Sequence, residues 1–341
     1  MAPSRRFLVF AAVILPAMAC QAAARLVSSR QFATDAVPTP SYAASDTPQA
    51  ASCPVEAGMI LRAANSESIP LGRFPAIDTS VSLDIPLVTY HVSGDELSNP
   101  VRAKVPKNLI RYQNDLATQQ DAWRLFVALI PGDQRSMLDS FQVMTDGPGG
   151  VLSAVEQTTD DPARWILETD IADIPDTKNL TFTLLHEFAH LMTLGPKQVP
   201  PDWRVFKDPH NIRVRDRAIA ACPSFFPGEG CSLPASYINA FFNRFWTDLF
   251  PEWSAIDRLE EGDEKDARLD AFYRKHHDDF VDSYAVTSPV EDIAESWSYF
   301  ILSPRPAGAS IRDQKLDFFY GYAGLVTLRS TILSNLCAAN P

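Results

Sequence analysis

Two histidines, His186 and His190, stand four positions apart, with Glu187 directly after the first, in the run NLTFTLLHEFAHLMTLG from Asn179 to Gly195. Positions four apart on a helix share a face, so both imidazoles can offer a nitrogen to one metal ion. Zinc suits such a set: nitrogen and carboxylate ligands, with one coordination position left open. The metal acidifies a water, and Glu187 is placed to take the proton as that water attacks a carbonyl. The competing reading is a pair of core histidines with no metal. That reading leaves polar rings on an apolar helix without a partner, which is costly.

The elements around this run position it. Leu184, Phe188 and Leu191 recur at helical spacing, with Leu185, Ala189 and Met192 beside them, as in a buried helix. Gly195-Pro196 ends the helix, and Asn179 reads as its N-cap. In a eukaryotic chain Asn179-Leu180-Thr181 is also a glycosylation sequon. Upstream, Ser82 to Val92 has strand composition, and Pro86 points to an edge or a break. His91 lies here alone and reads as surface or packing.

Asn108 to Ile130 reads as a helix with Leu116, Trp123, Phe126, Val127 and Ile130 on its apolar side, ended by Pro131-Gly132. Three strand-like segments follow: Ser140 to Thr145, Val151 to Thr158, and Arg164 to Ile171. After Gly195, residues Lys197 to Pro234 read as irregular. Ala235 to Leu259 is strongly aromatic, with Tyr237, Phe241, Phe242, Phe245, Trp246, Phe250 and Trp253 at core-like spacing. Glu260 to Lys275 is a charged helical stretch, and Asp313 to Leu336 is one more helix. The expected class is α+β.

The chain has 341 residues, a formal net charge of -12 and 46% hydrophobic residues. That length fits two subdomains or one large one. The acidic balance argues against nucleic acid as a partner, because phosphate binding needs a basic surface. No internal repeat is visible.

The first residues read as an export signal. Arg5-Arg6 precede an apolar stretch from Phe7 to Leu15, too short to span a bilayer, and Ala17-Met18-Ala19 forms a small-residue cleavage site. Cys20 follows at once. This resembles a bacterial lipoprotein signal with Cys20 lipidated, although Ala17 stands where Leu is usual. Simple secretion is the alternative. A membrane is then a partner only through that lipid. Residues 21–52, rich in Ala, Ser, Thr, Pro and Gln, read as a flexible tether.

Five cysteines are present, and removing Cys20 leaves four, enough for two disulfides in an oxidising compartment. Cys222 and Cys231 bracket a Pro/Gly-rich loop and are expected to pair. Cys53 would then pair with Cys337. A role for Cys53 as an inhibitory thiolate on the metal has no surrounding motif to support it.

A catalytic zinc takes a third protein ligand. A metzincin would need Gly at 193 and His at 196, where this chain has Thr193 and Pro196. His210, His276 and His277 sit in irregular or highly charged stretches and read as exposed. The better stretch is SYAVTSPVEDIAESW, Ser283 to Trp297. Glu291 and Glu295 share a helix face there, and Ile293, Trp297 and Phe300 supply packing. Ser288-Pro289-Val290-Glu291 is also a capping box, so Glu291 can be read as a helix cap instead of a ligand.

Tyr284 followed by Glu291 and Glu295, together with the earlier H-E-x-x-H run, resembles the lethal-factor-like branch of the gluzincin metallopeptidases. Two motifs and the order of elements carry the resemblance. The long gap between His190 and Glu291 demands an inserted subdomain.

The resemblance implies a zincin-like, two-lobed fold. Residues 53–195 would form a sheet-bearing lobe with the metal helix, and residues 196–341 a mainly helical lobe with the third ligand. It implies one zinc ion on His186, His190 and Glu291. Glu187 would be the general base and Tyr284 the oxyanion donor. Glu295 would be an outer carboxylate orienting a zinc histidine. It also implies an edge strand beside the cleft that pairs with extended substrate, here assigned to Arg164 to Glu168. The expected activity is an exported zinc peptidase acting on peptide or protein. A non-catalytic binding protein on the same scaffold, or a zinc hydrolase of non-peptide amides, are the alternatives.

Overall fold

A computed structural model describes residues 54–64, 85–148, 150–260 and 262–339. The expected leader, Cys20, the tether and Cys53 lie outside the described residues. In chain order the elements are α1 Pro54–Ala64, β1 Ile85–Ser93, β2 Glu96–Arg102, α2 Ile110–Gln113, α3 Leu116–Leu129, β3 Leu138–Thr145, β4 Ser153–Gln157, β5 Trp165–Asp170 and α4 Thr177–Leu194. The second half carries α5 Trp203–Lys207, α6 Ile212–Ala221, α7 Tyr237–Phe245, α8 Phe250–Asp257, α9 Asp263–His276, α10 Pro289–Leu302, α11 Ile311–Tyr320 and α12 Ala323–Ala339. Among the described residues this is an α+β chain of twelve α-helices and one five-stranded mixed sheet.

The sheet has the order β2-β1-β3-β5-β4. β3 and β5 run parallel, and every other pair is antiparallel. β1 is thus an interior strand despite Pro86. The pairing with β2 begins only at Val88, so Pro86 lies beyond the reach of β2, and a register shift follows it on the β3 side. A proline tolerates such a locally unpaired position. β2 was not anticipated. It is a mostly exposed edge strand containing Pro100, joined to β1 through Gly94 at φ 61°, a left-handed turn position that glycine adopts without strain.

The helix expected over Asn108 to Ile130 is broken. A short turn and α2 end at Gln113, and α3 restarts with Asp115 accepting from the Thr118 N–H at 3.2 Å. Leu116, placed on the apolar side by periodicity, is exposed, while Trp123, Phe126 and Ile130 are buried. In the second half, α5 and α6 occupy the stretch expected to be irregular. The single helix expected over Asp313 to Leu336 is two helices, α11 and α12, meeting at Gly321 and Tyr322.

α4 is the central helix. It packs against α10 and α1, and its neighbours include β4 and α3. Its N-cap is Asp176, not Asn179: the Asp176 carboxylate accepts from the Asn179 N–H at 3.3 Å and from its side-chain amide at 2.8 Å. Leu184, Leu185, Phe188 and Leu191 are all fully buried. The aromatic stripe of the second half backs α10. Trp246 is in ring contact with Trp253 and Phe280, Phe319 with Trp297 and Phe300, and Phe241 with Phe318, all of them buried. Each such side chain contributes about 1.5–3 kcal/mol through burial. That energy fixes where α10 lies against α4.

Candidate metal centre and active site

His186 and His190 project from one face of α4 toward the first turn of α10. The two Nε2 atoms are 3.0 Å apart. Glu291 Oε2 lies 2.9 Å from His186 Nε2 and 3.3 Å from His190 Nε2. All three side chains are buried. Ligands about 2.0–2.1 Å from a tetrahedral ion stand about 3.3 Å from one another, close to the edges of this triangle. Glu291 Oε1 is buried with no hydrogen-bond donor among the described residues. The residues therefore fit a single metal ion, and His186, His190 and Glu291 form a group able to hold one.

The two sequence readings of Glu291 separate here. Ser288 caps α10, its Oγ accepting from the N–H groups of Val290 at 3.2 Å and Glu291 at 3.0 Å. The Glu291 carboxylate does not fold back on that cap; it lies against both histidines. Burial alone pushes its pKa up, but His190 and His186 outweigh burial and hold it below the ordinary carboxylate range.

Glu295, one turn further along α10, places Oε1 2.7 Å from His186 Nδ1. Glu295 thus lies against the Nδ1 side of the ring, while Nε2 faces Glu291. Glu187 is buried beside the triangle. Burial pushes its pKa up to about 7, against the pull of His186 and His190 and of a hydrogen bond from the Val155 N–H on β4. Tyr284 stands at the rim, 45% exposed, with its ring 5.7 Å from that of His186. The carboxylates of Glu291 and Glu187, together with burial, push its hydroxyl upward, an effect that water at this exposed rim screens.

The remaining histidines stay away from this centre. His276 and His277 pair with Glu252, Asp279 and Asp278. The substrate-pairing edge assigned to Arg164 to Glu168 is corrected. That segment belongs to β5, which lies between β3 and β4, so both its sides are paired. The outer edge on this side is β4, and β4 is the strand that reaches Glu187.

Two residues near the centre were not anticipated. Asp282 accepts from the N–H groups of Tyr284 and Ala285 through Oδ1, both at 3.0 Å. Glu229 lies on the loop closed by the Cys222–Cys231 disulfide, and Asp202 N–H donates to its carbonyl at 2.8 Å. Gly230 beside it has no room for a Cβ against the Pro200 carbonyl. Burial pushes the Glu229 carboxyl up, opposed by its own backbone N–H and by His190. A lone carboxylate in a stapled loop was the available signal for Glu229. Cys337 is also disulfide-bonded. No family model, curated protein or solved structure matches this chain.

Proposed function

We propose that this chain is a zinc-dependent peptidase with a gluzincin-like, two-lobed cleft. The observation that carries the reading is the buried triangle of His186, His190 and Glu291, with Glu187 beside it and Glu295 behind His186. The two histidines and Glu291 would hold one zinc ion, which supplies Lewis acidity that acidifies water and polarises a carbonyl. Glu187 takes the proton of the attacking water and delivers it to the leaving amine. Its carboxyl is buried beside the two histidines, where it can take a proton and pass it on without competition from bulk water. Tyr284, at the exposed rim, donates its hydroxyl hydrogen to the developing oxyanion. Glu295 keeps the His186 ring in one tautomer and one orientation.

The open edge of β4 supports an extended peptide as substrate, paired through main-chain hydrogen bonds along Ser153–Gln157. The leader composition supports export, with the chain either anchored through Cys20 or free, and the Cys222–Cys231 disulfide fits an oxidising compartment.

The test is metal analysis and peptide-library cleavage with the purified chain and its Glu187→Gln variant. One zinc per chain in both, with turnover only in the parent, is the expected result. Turnover that survives Glu187→Gln overturns the mechanism, and zinc without cleavage of any peptide overturns the activity.

A further inference from the structure

Glu295 has two carboxylate oxygens, both in the protein interior, and His186 accounts for only one. Oε1 meets His186 Nδ1 at 2.7 Å. Oε2 is buried and receives no N–H and no hydroxyl hydrogen from serine, threonine or tyrosine among the described residues. A buried acceptor without a donor is costly, so this atom needs one.

Asp282 supplies it. Its carboxyl lies within hydrogen-bonding reach of Glu295. Its Oδ1 is taken up by the N–H groups of Tyr284 and Ala285, each at 3.0 Å. Oδ2 is thereby left to carry a proton and to give it, as an O–H donor, to Glu295. Two adjacent carboxyls with one shared proton avoid placing two like charges side by side. Burial, followed by the charge of Glu295, pushes Asp282 well above the ordinary carboxylate range, which agrees with a protonated group.

The same side chain therefore holds two things. It caps the short turn Ala285–Thr287 that carries Tyr284, and it completes the hydrogen bonding of Glu295 behind His186. We propose that Asp282 is a positioning residue that ties the Tyr284 turn to the Glu295–His186 pair, so that the rim hydroxyl and the metal-facing imidazole are held in one register. This rests on the roles given above to Tyr284, Glu295 and the metal ligands. Aspartate suits the position because it accepts two backbone N–H groups and donates once. Asparagine offers the same pattern permanently, through its carbonyl oxygen and its amide N–H, whereas alanine offers neither.

The experiment compares Asp282→Ala and Asp282→Asn in the full chain, alone and with Glu295→Gln. Zinc affinity is read by chelator competition, and kcat and KM are read separately on a cleavable peptide. Asp282→Ala is expected to weaken zinc about tenfold, the scale of losing an outer partner of a metal ligand, and to lower kcat more than KM. Asp282→Asn is expected to restore most of both losses. In the Glu295→Gln background, Asp282→Ala should add less than it does alone. Unchanged zinc affinity in Asp282→Ala overturns the link, as does full additivity with Glu295→Gln. Asp282→Asn behaving as badly as alanine overturns the donor role. If no peptide is cleaved, the proposed activity fails, and the zinc measurements still decide the role of Asp282.

Discussion

Lys315 Nζ lies 2.7 Å from Asp292 Oδ2, and neither side chain reaches solvent. The ammonium also sits 3.8 Å from the centre of the Phe280 ring, and Trp246 donates to the same carboxylate oxygen at 2.8 Å. Asp292 immediately follows Glu291, so this pair anchors the turn of α10 that faces the histidines. Burial pushes Asp292 up to about 6 even with the lysine opposing it. Lys315→Met leaves that carboxylate uncompensated and should cost about 3–5 kcal/mol in urea unfolding. Adding Asp292→Asn should recover much of the loss. A single variant within about 1 kcal/mol of the parent would show that the pair is not important to stability.

Glu291 and Ser288 divide two tasks that one sequence motif combines. Glu291→Ala should release zinc under chelator concentrations that the parent withstands, while the metal-free fold keeps its helix. Ser288→Ala should cost about 1 kcal/mol of stability and leave zinc stoichiometry alone. The reverse pattern, with metal lost through Ser288 and retained through Glu291, would return Glu291 to the role of a cap.

Val155 turns its N–H toward Glu187 instead of toward β5. Val155→Pro therefore removes no ladder bond, yet it takes away a donor from Glu187, the proposed base. We expect kcat/KM to fall about tenfold or more, the worth of one hydrogen bond to a charged group, with zinc content intact. Loss of a bond that lowers the Glu187 pKa should also move the acid limb of the pH profile upward. Parent-like kinetics in this variant would remove β4 from the site.

Asp170, fully buried at the end of β5, is pushed up to about 9, first by burial and then by the Asp146 carboxyl beside it. The folded chain thus keeps a proton there between about pH 4 and pH 9, where the unfolded chain has lost it. Stability falls as pH rises through that window, by up to about 1.4 kcal/mol per unit. Asp146 Oδ1 is buried and receives no donor among the described residues. Asp146→Asn puts an amide there that can donate to Asp170 and removes the like charge. Its Tm should gain on the parent increasingly from pH 6 to pH 9; parallel curves would refute the carboxyl pair.

The parts of this molecule that rest on local pattern were legible in its residues. α4 announced itself through an unbroken apolar spacing closed by Gly195, and the 284–295 stretch through its paired glutamates. Cys222 and Cys231 were near enough in sequence to pair across a Pro/Gly-rich turn. What depends on tertiary order was not legible. The three strand-like segments before α4 look alike in composition, and only chain pairing puts β5 inside and β4 at the edge. Asp176 and Asn179 are both good cap residues three positions apart, so the helix start was ambiguous by one turn. Asn114-Asp115 broke a helix whose apolar periodicity runs straight through them. Asp282 and Glu229 gain their meaning only from what folds against them.

The contact between His186 and Glu291 spans 105 positions of chain. Closing so long a loop has an entropy cost that must be met before any contact across it helps, which makes such contacts late in folding. No chain fragment ending before α10 can present all three donors, and a nascent or partly unfolded chain offers at most the α4 histidines. Metal occupancy is therefore a record of completed folding: a chain that holds its ion tightly has already brought α10 onto α4.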